Sequence, residues 1–406
     1  MDVHTRSVSA GVVVIGAGAA GLAAARTLHE RGVDVLLLEA RGRAGGRAYT
    51  LRTSDGAYPI ELGAEFIHGK ADATMALLRE CGEGTTEISA SLPGVWEATE
   101  RVLDRVDVHG PDTSVDAFLK SVDPRDAAQA RMLIEGFDAA ITSDASIIAI
   151  ANEWRGEGND TQGRPAAGYG VIMDHLAASI GDRLWLNSPA REIHWSPGGV
   201  EVVALRGGES VRVLARRAIV TLPIAVLHEH GVRFVPALPP HKRDAIDAIG
   251  MGPVVKVMLE FQSAFWEDGF FQTTGDSAFP SVWSRLPQRA PVLAAWAGGD
   301  AVARLAARYR DPIAAAIETC ARIFPHVDVR AQLVDAHSHD WQRDPCARGA
   351  YSYLRVNGNG ARERLAEPIE GVLYFAGEAT SSRDAGTVAG ALDSGYRAAS
   401  EIPIQR

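Results

Sequence analysis

The chain opens with an apolar pattern that predicts a βαβ unit. Residues 12–15 form a short apolar run typical of a buried strand, and apolar residues then recur at helical spacing between 22 and 28. Residues 33–38 form a second buried strand of the same type. The pattern therefore predicts a strand, a helix and a parallel strand within about thirty residues.

Three glycines and one acid give this unit a chemical meaning. In the segment GAGAAG, Gly16 permits a tight turn, Gly18 lets the backbone approach a pyrophosphate, and Gly21 lets the helix lie close to the strand. The helix N-terminus then faces the anion. Glu39 ends the second strand, where a ribose 2′-hydroxyl needs an acceptor and a 2′-phosphate is repelled. We therefore predict a dinucleotide site that excludes cofactors with a 2′-phosphate.

Further apolar runs predict more strands and helices along the chain. Residues from about 79 to 180 are rich in helix formers and contain no second βαβ fingerprint, which is typical of an inserted domain. Residues 252–343 have another pattern, with scattered tryptophans, and are interpreted as the second half of that domain. The other predicted strands are 184–186, 200–205, 211–214 and the run from 218 to Pro223, and the predicted helices are 301–308 and 311–323.

Composition and charge narrow the class of protein. The chain has 406 residues and a formal charge of −10, which suits a two-domain globular enzyme and excludes a general nucleic-acid binder. The three cysteines are too far apart to indicate a disulfide framework, a zinc site or a dithiol centre. The sequence contains no signal-peptide cleavage pattern and no run of about 18 apolar residues. We expect a soluble cytoplasmic protein, a monomer or homodimer, without a metal.

Two further segments are rich in glycine. Residues 40–47 (ARGRAGGR) form a cationic loop directly after Glu39. Their residue types alone are compatible with a second anion site or with a solvated basic loop. Residues 371–380 place a short apolar strand before Gly377 and Glu378, and residues 385–395 open a helix of small residues. Such a helix start brings backbone donors close to a ligand, or permits close helix packing.

These segments resemble the flavin-containing amine oxidase family, which includes monoamine oxidases, polyamine oxidases and lysine-specific histone demethylases. GAGAAGLAAA followed by LLLEARGRAGGR is similar to the family's opening, and YFAGEAT followed by GTVAGALDSG is similar to its C-terminal flavin signature. The resemblance implies FAD and an α/β fold, with a Rossmann-like FAD-binding domain of discontinuous segments and an inserted α+β substrate-binding domain. The expected boundaries are 1–78, 182–250 and 344–406 for the FAD-binding domain, and 79–181 and 251–343 for the substrate-binding domain.

Lys256 lies in GPVVKVMLEF, where alternation alone predicts a half-exposed strand with Lys256 and Glu260 in solvent. The segment also resembles the family's lysine strand, which implies that Lys256 holds a water against flavin N5. Near the start of the chain, ELGAEFIHG resembles the family's G-A-x-W-I-H-G segment, with Phe66 in place of tryptophan. The resemblance implies that His68 is a polar pocket residue near the amine. Glu65 is a candidate partner for a cationic substrate, or else a solvated loop acid.

Residues 340–353 resemble the W-x-x-D-P-x-x-x-G-x-Y-S-Y segment of polyamine oxidases and histone demethylases. The resemblance implies that Tyr351 forms one wall of the amine pocket and that Trp341 packs near the flavin; core packing is the alternative for the tyrosine. Monoamine oxidases carry a flavin-linked cysteine where this chain has Ala350, so we expect noncovalent FAD. They also have a second tyrosine where this chain has Thr387, which instead matches the polyamine oxidase and demethylase branch.

The resemblance implies oxidation of a C–N bond of a polyamine or related amine to an imine and then an aldehyde, with O2 as the acceptor and H2O2 formed. An L-amino-acid oxidase is the alternative within the fold and needs a carboxylate-binding arginine, for which Arg155, Arg285 and Arg348 are candidates. A nicotinamide-binding or non-catalytic Rossmann module is the alternative outside it. Because 406 residues leave no room for a demethylase's tower and extra domain, we expect no chromatin role. The predicted catalytic residues are Lys256, His68, Tyr351 and Thr387, and the predicted cofactor-binding residues are Gly16, Gly18, Ala20, Gly21, Glu39, Ala40, Arg41, Gly46, Arg47, Gly63, Ala64, Glu65, Ile193, Trp341, Gly377, Glu378, Thr387 and Val388.

Overall fold

A computed structural model describes residues 6–87, 95–155, 162–273, 277–285 and 289–403, to which the structural statements below refer. The strands are β1 (Arg6–Ile15), β2 (Val35–Leu38), β3 (Thr50–Arg52), β4 (Pro59–Glu61), β5 (Ile67–His68), β6 (Thr85–Glu87), β7 (Gln162–Pro165), β8 (Leu184–Trp185), β9 (Ala190–Ser196), β10 (Gly199–Arg206), β11 (Glu209–Val220), β12 (Arg233–Val235), β13 (Ile249–Gly252), β14 (Val254–Phe261), β15 (Phe271–Thr273), β16 (Ser281–Ser284), β17 (Val292–Gly298), β18 (Leu333–Ser338), β19 (Tyr351–Leu354) and β20 (Leu373–Phe375). The helices are α1 (Ala19–Glu30), α2 (Asp72–Glu80), α3 (Val95–Asp104), α4 (Val115–Leu119), α5 (Pro124–Phe137), α6 (Ile147–Arg155), α7 (Gly170–Ile180), α8 (Ile224–His228), α9 (Pro240–Asp247), α10 (Asp300–Arg308), α11 (Pro312–Ile323), α12 (Val329–Gln332), α13 (Ala361–Ala366) and α14 (Val388–Glu401).

The largest sheet has eight strands, and its parallel part contains the N-terminal unit. Strands β8, β2, β1, β11 and β20 lie side by side in parallel, while β10, β9 and β12 extend the sheet from the first half of β11. Strand β1 lies between β2 and β11, so residues 12–15 are buried on both faces. A strand buried on both faces requires a continuous apolar run. The predicted βαβ unit is therefore confirmed.

Helices cover both faces of this sheet. Apolar residues of α1, α2, α7 and α14 form one core on the first face. Residues of α8, α9 and α13 form a second core on the opposite face. The predicted α/β fold class is confirmed. Helix α7 falls within the predicted substrate-binding segment 79–181, yet it packs against α1 in the first core.

The second sheet is antiparallel, in the order β15, β16, β17, β14 and β18. Helices α10 and α11, both predicted from periodicity, pack on one face. Residues of β4 and the loop after it pack on the other face. Because β14 is covered on both sides, Lys256 is 2% exposed and Glu260 is 5% exposed. The half-exposed strand that alternation predicts for this segment is therefore wrong.

A helical layer completes the fold. Helices α3, α4, α5 and α6 share a core with Tyr353 of β19, in the region that the sequence predicts to be helical. Strand β19 pairs with β13, which leads directly into β14. This connection brings the helical layer, the second sheet and the carboxyl ends of the parallel strands around one central cavity.

Candidate active site

A cavity of about 990 Å³ lies at the carboxyl ends of the parallel strands. Its volume is at the upper end of the roughly 300–1,000 Å³ that is typical of cofactor and small-molecule sites. Ile15 of β1, Leu38 of β2 and the residue after β11, Thr221, border it. In open parallel sheets ligands bind outside the carboxyl ends of the strands, so this position is typical of a nucleotide site.

The turn between β1 and α1 presents backbone to this cavity. Gly16 has a φ of 102°, a conformation that favours glycine. Gly18 precedes the helix, and a Cβ added there meets no atom within 4 Å, because the position faces open space. Ala20, in the first turn of α1, also lines the cavity. The first turn of α1 therefore offers its backbone N–H groups to an anion.

Gly21 has a packing role. A Cβ at this position would lie 1.8 Å from the carbonyl oxygen of Gly16, and Gly21 does not belong to the described lining of the cavity. Gly395 acts in the same way on the other side of α1, where its Cβ would lie 2.2 Å from the carbonyl oxygen of Ala20. These two glycines set the close packing of α1 between the β1 turn and α14.

Glu39 ends β2 with its carboxylate held by backbone donors. Its Oε2 accepts a hydrogen bond from the Ala17 N–H at 2.8 Å, and its Oε1 accepts one from the Arg41 N–H at 2.8 Å. The Arg41 guanidinium in turn donates to Asp344 at 2.7 Å. Glu39 and Arg41 both line the cavity. The acid is therefore fixed where a ribose hydroxyl of a dinucleotide would need an acceptor.

A second helix N-terminus faces the same cavity. The Thr387 side chain caps α14, because its hydroxyl accepts from the Gly390 N–H at 3.0 Å and donates to the Asp384 carbonyl at 2.8 Å. Thr387 and Val388 line the cavity. Thr387 therefore has a helix-capping role. This role differs from the predicted catalytic one, because the hydroxyl proton and one lone pair already form hydrogen bonds at the start of α14.

The cationic loop meets the C-terminal signature through an ion pair between the partly exposed Arg47 and the buried Glu378. The Arg47 guanidinium donates to Glu378 Oε1 at 2.8 Å and to the Ala350 carbonyl at 2.7 Å. Ser352 donates to the other oxygen of Glu378 at 2.6 Å. Burial alone would raise the pKa of Glu378, but Arg47 and the other donors outweigh it and hold that pKa below its usual value. Gly18 and Gly377 line the same cavity, so the N-terminal and C-terminal signatures meet there.

Lys256 lies on β14 within a buried charge cluster. Its Nζ is 2.5 Å from Glu65 Oε2 and donates to the Gly63 carbonyl at 3.3 Å. The other oxygen of Glu65, Oε1, is 2.8 Å from Arg164 Nη2 and accepts from Trp283 Nε1 at 3.3 Å. Burial acts to raise the pKa of Glu65, but Arg164 and Lys256 lower it to about 2. Since both its oxygens have cationic partners, Glu65 is not a free acid for a cationic substrate.

Aromatic side chains form the walls beside Lys256. Trp341 is buried and donates to the Leu62 carbonyl at 2.9 Å. Tyr351 donates its hydroxyl to the Phe137 carbonyl at 2.8 Å, and burial raises the pKa of this phenol above its usual value. Phe66 packs against the Arg164 guanidinium. Phe66, Trp341 and Tyr351 all line the cavity, so this part of its wall is largely aromatic.

His68 lines the cavity between two phenyl rings. Its ring centroid is 6.2 Å from that of Phe66 and 5.3 Å from that of Phe137. Burial lowers the pKa of His68 to about 4. The imidazole is therefore neutral at physiological pH and can accept or donate a hydrogen bond without carrying charge.

This shift predicts a pH-dependent stability. Between pH 6.5 and 4 the unfolded chain protonates His68 while the folded chain does not, so stability falls with falling pH, by about 3 kcal/mol at most. We expect His68→Gln to remove this part of the loss, whereas replacement of the exposed His109 by glutamine leaves it unchanged. Unfolding midpoints measured across this pH range test the prediction, and equal slopes in both variants would contradict it.

Beyond Tyr351 the cavity continues into a lobe that contains three aromatic side chains and two acids. Trp96, Phe137 and Trp154 pack together, with ring centroids 4.9–5.6 Å apart. Trp154 donates to Asp138 at 3.2 Å. Burial raises the pKa of Asp138 well above its usual value, and the Glu153 carboxylate raises it further. An ammonium group entering this lobe would stabilise the ionised acids.

Most of the residues predicted from the sequence border this cavity. Ile193 is an exception, because its side chain is fully buried in the core of the first sheet, and Pro189, Ala190 and Arg191 line the cavity in its place. Gly21, as described above, is the other. The predicted residues that line the cavity are Gly16, Gly18, Ala20, Glu39, Ala40, Arg41, Gly46, Arg47, Gly63, Ala64, Glu65, His68, Lys256, Trp341, Tyr351, Gly377, Glu378, Thr387 and Val388.

Among the cavity residues that the sequence does not predict, four are charged or polar groups of the site described above: Arg164, Trp283, Asp138 and Glu153. The first two lie on short strands far along the chain from Glu65, and no local pattern connects them to it. The only available signal for the acids was their position beside aromatic residues in predicted helices. None of the arginine candidates for a carboxylate clamp, Arg155, Arg285 and Arg348, belongs to the described lining, so an L-amino-acid oxidase gains no support from them.

None of the described helices has the length and apolar character that a membrane span requires. In the same part of the chain, no three or more His, Cys, Asp or Glu side chains form a group that could hold a metal ion.

Comparison with known proteins gives two kinds of relative. Lysine-specific histone demethylase 2 of Homo sapiens is 29% identical over 463 residues, which cover 99% of this chain and 54% of that protein. Polyamine oxidase 2 of Arabidopsis thaliana is 27% identical, with 99% of this chain and 89% of that protein covered. The chain therefore spans about half the length of the demethylases that it matches and most of the length of the polyamine oxidase.

Solved structures show the same fold. Putrescine oxidase, solved with putrescine bound, has a TM-score of 0.83 at 21% identity, covering 98% of this chain and 99% of that one. Cyclohexylamine oxidase from Brevibacterium oxydans has a TM-score of 0.80 at 23% identity, covering 97% and 98%. The family model for flavin containing amine oxidoreductase matches residues 19–140 and 109–403. This chain therefore belongs to the flavin-containing amine oxidoreductase family.

Proposed function

We propose that this protein is an FAD-dependent amine oxidase that oxidises a C–N bond of a polyamine or related amine. The main support is that one continuous cavity contains both a nucleotide end and an amine end. It runs from two helix N-termini, past Lys256 and Tyr351, to an aromatic lobe with Asp138 and Glu153. One end suits a dinucleotide, and the other end suits an elongated amine with more than one nitrogen.

The residues around the strand ends fit FAD. The first turns of α1 and α14 suit the pyrophosphate, Glu39 suits the ribose, and the open space at Gly18 leaves room for close approach. Ala350 lines the cavity, and Cys346 lies among Arg41, Asp344 and Glu39 at the nucleotide end. These positions support noncovalent binding of FAD: Ala350 has no thiol, and the thiol of Cys346 lies at the nucleotide end of the cavity and not beside Lys256. Bound FAD supplies the hydride acceptor.

The chain's own groups bind and orient the amine. The aromatic walls exclude water, which lowers the pKa of an amine by penalising its charged form. The reacting nitrogen must be neutral, while a second, charged nitrogen is stabilised by Asp138; the neighbouring Glu153 is paired with Arg362 at 3.4 Å. The oxidation leaves an imine, which water hydrolyses to an aldehyde and an amine. We expect activity to rise with pH as more of the substrate becomes neutral.

Anaerobic mixing of the flavin-loaded protein with spermidine, spermine and acetylated polyamines tests the proposal. We expect at least one of them to bleach the oxidised flavin absorbance. Flavin that stays oxidised with the whole panel would contradict a polyamine substrate, and bleaching by aromatic or aliphatic amino acids instead would identify an amino-acid oxidase. Peroxide formed after readmission of air identifies O2 as the acceptor.

The acid of the aromatic lobe provides a second test. Asp138→Asn keeps an oxygen that can accept from Trp154 but removes the carboxylate. We expect the KM for spermidine to rise about tenfold with little change in kcat, because the charge stabilises the bound substrate and its transition state alike. The KM of a simple monoamine should be unaffected. Steady-state kinetics measures both KM values. An unchanged KM for spermidine would contradict a role for Asp138 in substrate binding.

A pair of glycine variants tests the dinucleotide turn. Gly18→Ala places its methyl in the open cavity, so we expect stability without cofactor to change by less than about 0.5 kcal/mol and FAD affinity to fall at least about tenfold. Gly21→Ala pushes a methyl into the Gly16 carbonyl and should destabilise the protein itself by about 1–3 kcal/mol. Thermal unfolding and a fluorescence titration with FAD separate the two effects. Wild-type FAD affinity in Gly18→Ala would contradict the assignment of this turn.

A further inference from the structure

The carboxylate of Glu65 is held from three directions. Its Oε2 contacts Lys256 of β14 at 2.5 Å, while its Oε1 contacts Arg164 of β7 at 2.8 Å and Trp283 of β16 at 3.3 Å. These partners lie on three different strands, so a rotation of the Glu65 side chain would break at least one contact. The carboxylate therefore has a fixed position at the cavity wall.

The charges in this cluster need Glu65 to balance them. Lys256, Arg164 and Glu65 are each less than 7% exposed, and Arg285 is close enough to stabilise the ionised Glu65 as well. A buried cation without an anion nearby carries a large desolvation cost. The neighbouring acid Glu61 accepts hydrogen bonds from the Thr50 hydroxyl and the Tyr169 N–H, and does not contact Lys256 at ion-pair distance.

The same short loop contacts the lysine twice. Lys256 Nζ donates to the Gly63 carbonyl at 3.3 Å and pairs with Glu65 two residues later. Gly63 is itself confined, because a Cβ there would lie 1.8 Å from the Arg47 carbonyl oxygen. The loop therefore fixes the direction of the ammonium group as well as its distance.

We propose that Glu65 is a positioning residue that fixes the Lys256 ammonium at the cavity wall and balances its charge. The role of this ammonium toward a bound flavin rests on the proposed function, whereas the pairing of the two side chains does not. Glu65 acts through Lys256 and has no direct role toward the substrate.

Acylation of the flavin-loaded protein with acetic anhydride tests this inference, with the modified lysines quantified by peptide mass spectrometry. In Glu65→Gln the buried Lys256 amine loses both its counter-ion and the contact that fixes its position, so we expect Lys256 to be acylated at least about tenfold faster. Glu61→Gln is the matched control: Glu61 interacts with Lys256 only at longer range, so we expect a much smaller increase in acylation than in Glu65→Gln. Lys242, which is buried elsewhere, reports general loosening of the fold in the same digest.

A conservative variant keeps the test decisive if Glu65→Gln does not fold. Glu65→Asp retains the charge on a shorter side chain, and we expect acylation of Lys256 to be intermediate. Equal acylation of Lys256 in all three proteins, or an equal increase at Lys242, would overturn the proposal. Because the assay contains no amine substrate, its outcome is independent of whether the protein oxidises polyamines.

Discussion

Lys256→Met is expected to slow the reaction of the reduced protein with oxygen about 100-fold, because removal of a preorganised charge beside a developing negative charge typically has an effect of this size. The fold should remain intact. Methionine is unbranched and fills similar space, and Glu65 retains Arg164 and Trp283 as partners. Reduction by the amine should change much less, because that step does not involve oxygen.

Stopped-flow mixing of the anaerobically reduced protein with oxygenated buffer measures this effect. Lys242→Met is the matched control. Lys242 is also buried, but it donates to the carbonyls of Arg364, Leu365 and Glu367 and does not belong to the described cavity lining. We expect this control to be less stable and to react with oxygen normally. A normal oxygen reaction in Lys256→Met would contradict a role for Lys256 in the reaction with oxygen.

Arg47→Met is expected to destabilise the protein by about 3 kcal/mol, because it leaves the buried Glu378 carboxylate without the cation that contacts it most closely. The same substitution should weaken FAD binding about 100-fold, since Arg47 belongs to the cationic loop beside the first turn of α1. Arg47 therefore contacts the C-terminal signature directly, and we expect both the stability of the protein and its affinity for FAD to depend on it.

The double variant Arg47→Met/Glu378→Gln separates these two effects. Removal of the carboxylate abolishes the unpaired charge, so we expect part of the lost stability to return while FAD affinity stays low. Ser352 can still donate to the glutamine oxygen. Unfolding midpoints and FAD titrations provide the data. Wild-type stability and affinity in the single variant would contradict the role of this ion pair.

The sequence predicts well those parts of the fold that depend on local pattern. The run at residues 12–15 and the glycines of the first turn predict the βαβ unit, because a doubly covered parallel strand and a tight turn leave a direct mark on residue type. Helices α10 and α11 are predicted for the same reason, since each has one apolar face against the second sheet. The resemblance to a known family then supplies Lys256, His68 and Tyr351.

The sequence does not predict contacts between distant segments. The solvent position that alternation gives to Lys256 and Glu260 is wrong because two different cores cover β14, and neither is visible in the strand itself. The pairing of Glu65 with Arg164 joins residues 99 positions apart, on a loop and a short strand. Ile193 lies in the core of the first sheet, whereas Pro189, Ala190 and Arg191, just before it in the chain, border the cavity.

The domain boundaries remain a prediction. Helix α7 lies in a segment assigned to the substrate-binding domain, but its apolar face packs on α1. Its sequence alone does not reveal this, because an amphipathic helix indicates that a partner exists without identifying it.

We propose that both signatures of the chain hold one noncovalent FAD. Acid precipitation of the purified protein, followed by mass and absorbance analysis of the supernatant, measures whether the flavin is present and whether it is released. We expect a yellow protein that releases stoichiometric FAD. A colourless protein that takes up no FAD on titration, or a flavin that stays with the precipitated chain, would contradict it.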